Sequence, residues 1–226
     1  MLASTDFFDL SEFEHAAVFE GTRYVWDVLT GIRSYIEQTM LGRGYERRIV
    51  IMGSVMSGAY IEGSDIFIGE GTIVEPGAMI KGPALIGAGV EIRQGAYIRG
   101  NVIVGDGAVV GHASEVKNSI LLNGAKAAHF AYVGDSVLGN GVNLGAGTKL
   151  ANLKMVETNV EVVVGGKRYD TGLQKFGAII GDQSETGCNS VTMPGTLLSK
   201  RCLIYPNVTA GGYFEADSVV RPADRP

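Results

Sequence analysis

The chain has 226 residues, of which 33 are glycine, about twice the usual share of roughly 7%, yet 46% are hydrophobic and only 6 are proline. Without a Gly-X-Y period this excludes a collagen-like chain, and that much apolar side chain excludes a disordered one. A net charge of −5 with 19% charged residues offers no footprint for nucleic acid or an anionic membrane, and no apolar run approaches the roughly 18 residues needed to span a bilayer.

The opening Met1-Leu2-Ala3-Ser4-Thr5-Asp6 has neither the basic region nor the apolar stretch of a secretion signal. Cys188 and Cys202 lack a CxxC spacing and read as reduced, partly buried thiols. Together these predict a cytoplasmic protein. Residues 1–50 read as a helical leader: Val25, Val28, Leu29, Ile32 and Ile36 are spaced for one helical face. Ser11 and Glu14 are spaced for a capping box of a shorter helix before it. The expected role of the leader is to cover the open end of a solenoid that begins near residue 51.

From Ile68 an aliphatic residue recurs every six positions, through Val74, Ile80, Ile86, Ile92, Ile98, Val104, Val110 and Val116 to Leu122. Four residues after each of the first eight stands a small or β-branched residue: Thr72, Ala78, Ala84, Val90, Ala96, Val102, Ala108 and Ser114. One place earlier, Gly71, Gly77, Gly89, Gly95, Asn101 and Gly107 suit a corner with positive φ. One short strand and one corner per six residues, three to a turn, describe a triangular coil stacked at about 4.8 Å. A β-sandwich would need period-2 alternation and wider turn spacing. The predicted fold is therefore an all-β parallel β-helix over 51–215, with a short helical segment before it and a tail at 216–226. The repeat weakens upstream at Val55 and Ile61, and downstream it stumbles after Leu122 before resuming at Leu138, Leu144 and Leu150. An excursion at 152–175, with Val160–Val164 ahead of Gly165-Gly166, reads as a hairpin-like loop outside the coil. The hexads return at Ile180, Thr186, Thr192, Leu198 and Ile204.

The stumble, Leu122 to Asp135, contains His129, one of three histidines. Beside it, Arg99 and Lys117 are eighteen apart and so stack on neighbouring coils. Two like charges about 5 Å apart repel, and an anionic ligand such as a phosphate would relieve the pair. Solvated surface charges are the alternative.

The stretch from Gly111-His-Ala-Ser-Glu-Val-Lys through Lys126-Ala-Ala-His-Phe-Ala-Tyr to Gly141-Val-Asn-Leu-Gly-Ala-Gly-Thr148 resembles the acetyltransferase half of the bifunctional glucosamine-1-phosphate acetyltransferase/N-acetylglucosamine-1-phosphate uridyltransferases. The later Asn152-Leu-Lys and Lys175-Phe-Gly-Ala-Ile-Ile-Gly-Asp182 are more similar to archaeal-type sugar-1-phosphate nucleotidylyltransferases with such a tail. The resemblance covers roughly 55–215, is specific over 98–152, and implies a left-handed coil. It implies acetyl transfer from acetyl-CoA to an amino-sugar 1-phosphate, glucosamine or galactosamine 1-phosphate, with no metal. It implies His129 as general base, Tyr132 as an amino-sugar contact, and Arg99 and Lys117 as the phosphate-binding pair. Asn143 and Asn152 match asparagines that position the sugar, and Ala146 and Cys188 match positions facing acetyl-CoA. The family's sites lie between subunits of a homotrimer.

The chemistry suits these residue types. An attacking amine must lose a proton, which imidazole accepts near neutral pH, and backbone N–H groups at a glycine-rich corner can hold the oxyanion. The chain departs from the family in three places. It carries no nucleotidyltransferase domain, so a separate protein would supply that step. Leu153 stands where the uridyltransferases have tyrosine, and Glu157 and Glu161 stand where basic residues would meet the coenzyme phosphates, leaving Lys154, Lys167, Arg168 and Lys175 as substitutes. Other readings are a non-catalytic trimeric subunit that assembles a nucleotidyltransferase, acetylation of another amino sugar, and a zinc β-helix of the γ-carbonic-anhydrase kind. The last needs three converging histidines, and His15, His112 and His129 lack that spacing.

Overall fold

The computed structural model describes residues 2–222; the end of the expected tail, 223–226, lies outside them. The chain folds as a parallel β-helix of triangular section. Face 1 has nine strands from Ile49–Ile51 to Tyr213–Phe214, face 2 nine from Ser54–Val55 to Val219–Val220, and face 3 eight from Tyr60–Glu62 to Thr209–Ala210. Coil structure thus continues past residue 215 into the stretch expected as a tail.

The six-residue period builds this coil as read. The aliphatic residues from Ile68 to Val116 point inward, and so do the small residues from Thr72 to Ser114 that share the coil with them. All six corner residues from Gly71 to Gly107 have positive φ, including Asn101 at 53°. On face 1 the register is eighteen residues from Ile68↔Ile86 through Ile86↔Val104, then seventeen at Val104↔Leu121 and again at Leu121↔Leu138. The stumble is therefore two shortened corners. Where an earlier coil turns from face 3 to face 1 through Gly100 and Asn101, both at positive φ, the next coils turn on Asn118 (φ 44°) and Asp135 (φ 48°) alone. This corrects the expected place of Leu122: Leu121 fills the interior slot, and Leu122 faces outward.

Leu122 joins a second core on the outside of face 1. Leu85, Ile103, Ile120, Val137, Ile179 and Leu197 point outward there and pack against the leader. The leader contains α1 (Ser4–Phe7), two short 3₁₀ turns and α2 (Val28–Gly42). Val28, Leu29, Ile32 and Ile36 form the buried stripe of α2, extended by Met40. The expected end cap is thus a strap along one flank instead. The reason is chemical: face 1 offers a continuous aliphatic outer surface, whereas faces 2 and 3 present Glu91, Lys126, Arg99 and Lys117. Each aliphatic side chain so covered is worth about 1.5–3 kcal/mol. The strap is fixed along the edge between faces 1 and 2, where Asn140 Nδ2 donates to Asp9 O (2.7 Å) and Asn123 Nδ2 to Glu12 O (2.8 Å). The expected capping box does not form: Ser11 Oγ donates to Asp9 and Glu14 pairs with Arg43. The first coil is left open, with Ile49 43% and Ile51 44% exposed although their partners Ile66 and Ile68 are fully buried.

The excursion forms an antiparallel hairpin, Glu161–Val164 against Lys167–Asp170, turning on Gly165 and Gly166 at φ 58° and 78°. Val160 and Val162 enter the second core, and Tyr169 lies against Tyr24 and Trp26 of the leader.

Candidate active site

The corner between faces 2 and 3 carries His129 at the end of strand Lys126–His129. Backbone bonds from Gly147 N to His129 O (3.0 Å) and from Asn189 N to Ala146 O (2.8 Å) stack His129, Ala146 and Cys188 on three successive coils. Phe130 turns the corner at φ 51°, and its ring packs edge-on to His112 at 5.2 Å. His112 pairs in register with His129, and its Nδ1 donates to Gln94 O at 2.9 Å. His129 is exposed, as are Cys188 and Asn189 above it. His15 lies elsewhere, buried in the leader beside the Tyr35 hydroxyl at 3.2 Å.

Tyr132 begins the next strand, Tyr132–Gly134 on face 3, and runs along it toward the opposite corner. Gly134 makes room for it: a β-carbon there would lie 2.6 Å from the Tyr132 hydroxyl and 2.7 Å from Asn152 Nδ2. At that far corner Lys117 Nζ donates to Asp135 at 2.9 and 3.2 Å, and Asn152 Nδ2 donates to Asp135 at 2.5 Å. One coil earlier Arg99 Nη1 donates to Glu115 at 2.6 Å and lies over the Tyr97 ring. The Glu115 partner pushes the Arg99 guanidinium above its usual range.

The structure thus gathers the expected residues into two groups. Tyr132, Lys117 and Asn152 meet at the corner of faces 3 and 1, with Arg99 in register beside Lys117. His129, Ala146 and Cys188 share the corner of faces 2 and 3. The two corners are separated by the face 3 strand Tyr132–Gly134, about 10 Å of extended chain from Ala131 to Gly134. Asn143 belongs to neither, standing on face 2 between Lys126 and Glu185. The unpaired cation stack expected from Arg99 and Lys117 is not present, because Glu115 and Asp135 each neutralise one member. Of the proposed substitutes for coenzyme contacts, Lys154 is turned onto Thr158 and Asn159 and Arg168 onto Glu161. Both corners are open surface, and a cavity of about 400 Å³ lined by Arg33, Glu37, Arg47 and Asp65 holds none of these residues.

Sequence reasoning missed Asp135, Asn118 and Gly134. Their signal was present as two five-residue intervals, Val116 to Leu121 and Val133 to Leu138, in a six-residue series.

A parallel β-helix of six-residue repeats is the fold of the hexapeptide-repeat proteins, acyltransferases among them. The family described as the GMPPB C-terminal domain matches residues 80–166. The bifunctional sugar-1-phosphate nucleotidylyltransferase/acetyltransferase of Sulfurisphaera tokodaii is 43% identical over 109 residues, 47% of this chain and 27% of that protein. The bifunctional protein GlmU of Methanococcus maripaludis is 34% identical over 199 residues, 88% of this chain and 46% of its own. YaiX of Escherichia coli K12, an uncharacterized protein carrying an acetyltransferase name, is 33% identical over 166 residues, 71% of this chain and 72% of its own. The chain belongs to this acetyltransferase family of β-helices, related to the acetyltransferase portions of the bifunctional sugar-1-phosphate enzymes. It spans less than half the length of the two bifunctional relatives. Among the described residues no helix is long and apolar enough to cross a membrane.

Proposed function

We propose that the chain is an acetyl-CoA-dependent N-acetyltransferase acting on a hexosamine 1-phosphate, glucosamine or galactosamine 1-phosphate. The observation that carries this reading is the pair of corners on face 3. One holds an exposed imidazole below a glycine-rich turn, and the other holds Lys117 and Asn152 as oriented donors with Tyr132 reaching toward them.

The substrate phosphate lies against Lys117 and Arg99. Each cation has N–H groups beyond those given to its carboxylate partner, because an ammonium has three donors and a guanidinium five. Tyr132 and Asn152 orient the ring. The 2-amino lone pair attacks the thioester carbonyl carbon while His129 takes the departing N–H proton. Backbone N–H groups near Ala146 hold the tetrahedral oxyanion. Collapse breaks the carbon–sulfur bond, and the proton passes from His129 to the coenzyme thiolate, giving the amide and free thiol.

The resemblance implies a site shared between subunits. The site therefore lies, in this reading, between subunits of a homotrimer, the imidazole corner of one copy facing the Lys117 corner of the next. A nucleotidyltransferase would consume the product. The test is thiol release from acetyl-CoA with glucosamine or galactosamine 1-phosphate. His129→Ala should lose about 10²–10⁴ of the rate, the usual worth of a general base. Failure of the unmodified protein to release thiol with either amine would refute the reading.

A further inference from the structure

Asp135 takes no part in the chemistry above, yet its side chain is only 6% exposed and saturated with donors. Oδ1 accepts from Asn118 Nδ2 at 2.9 Å and from Lys117 Nζ at 3.2 Å. Oδ2 accepts from Lys117 Nζ at 2.9 Å and from Asn152 Nδ2 at 2.5 Å. A carboxylate offers about four lone-pair positions, and all are in use, so none remains to receive a hydroxyl or amine from a ligand. Its partners are not saturated. Lys117 keeps free N–H groups, and Asn152 keeps its second N–H and its oxygen. Asn118 differs from both: its other N–H goes to Leu29 O in α2 at 3.3 Å, so it ties the cluster to the leader.

We propose that Asp135 is a positioning residue, which fixes the Lys117 ammonium and the Asn152 amide as a pre-aimed pair of donors for the sugar phosphate. The inference rests on the reaction proposed above. Holding a lysine and an amide in one rotamer each removes the entropy that binding would otherwise have to overcome. The short corner makes this possible, because Asp135 directly follows Gly134, the register partner of Lys117, and the Lys117 carbonyl accepts from Asp135 N at 2.9 Å.

The test uses Asp135→Asn in the full chain. Asparagine tolerates the positive φ of this corner, but it removes the carboxylate charge that pairs with Lys117 and sets an amide donor against either Asn152 or Asn118. The KM for glucosamine 1-phosphate should rise at least tenfold, with kcat within about twofold and the acetyl-CoA KM unchanged, the signature of lost ground-state binding. Asp135→Gly, which relaxes the corner and also removes the acceptor, should show the same split. An unchanged sugar-phosphate KM, or an acetyl-CoA KM that rises with it, would overturn the proposal. A second readout needs no turnover. Amine acetylation by an N-hydroxysuccinimide ester, followed by peptide mass spectrometry, should label Lys117 several-fold faster in Asp135→Asn, with Lys126 as internal reference. Equal labelling overturns the hold of Asp135 on Lys117. If the unmodified protein releases no thiol, the reaction itself is refuted, and labelling alone decides the role of Asp135.

Discussion

A methyl group at position 134 has to displace the Tyr132 hydroxyl and the Asn152 amide, and both atoms are tips of side chains that can swing aside. Gly134→Ala should cost the roughly 1 kcal/mol lower end of overpacking plus about 1 kcal/mol for the Asn152–Asp135 hydrogen bond that the swing breaks. The same swing takes two proposed sugar contacts out of place. At about 0.5–1.5 kcal/mol per hydrogen bond, the sugar-phosphate KM should rise about tenfold. Urea unfolding and initial rates of thiol release check the two halves, and a normal KM in the variant would remove Tyr132 and Asn152 from the sugar site. These residues also show what can be read before folding. His129, Tyr132, Lys117 and Asn152 stand in recognisable motifs. Asp135 and Gly134 act through the register of neighbouring coils, and register depends on where corner residues are deleted. Adjacent leucines at 121 and 122 hid that deletion, since either satisfies an aliphatic slot.

At the scale of elements, the leader is held to face 1 by apolar packing and to the neighbouring edge by Asn123, Asn140 and Asp182. Its position was not legible because Leu85, Ile103 and Ile120 sit one place from hexad positions and pass as ordinary strand residues. His15 gives the strap a pH response. Burial pushes its imidazole below the usual histidine range, opposed by Glu14 and aided by Arg43, with Asp106 also opposing, and the ring faces Tyr35 and Phe13. A group held neutral in the folded state loses stability once the unfolded chain begins to bind the proton. Stability is therefore complete above about pH 6.5 and declines as pH falls below it toward the folded value. Urea midpoints at pH 7.5 and 5.5 should differ for the native sequence, and His15→Gln should reduce that difference. An equal slope in both would mean that other groups carry it.

For the whole molecule, face 1 is occupied by its own leader and hairpin, which leaves faces 2 and 3 for contact with other copies. The homotrimer proposed above predicts a particle of three chains. Sedimentation equilibrium should give three times the chain mass, and specific activity should fall on dilution through the dissociation range. Full activity from a monomer would refute the shared site. The architecture, in contrast to the assembly, was legible almost throughout: glycine or asparagine at six of the seven corner places from 71 to 107, all but Pro83, marked corners that do adopt positive φ.

Each coil touches only its neighbours, so a coil at either end has a single neighbour. The first coil has a single neighbour, no strap across its mouth, and Ile49 and Ile51 half in water. Opening from that end travels inward like a zipper, and it is arrested where the strap clasps several coils together. The leader works as a ratchet on unravelling, and the corners that carry His129 and Lys117 lie on its protected side.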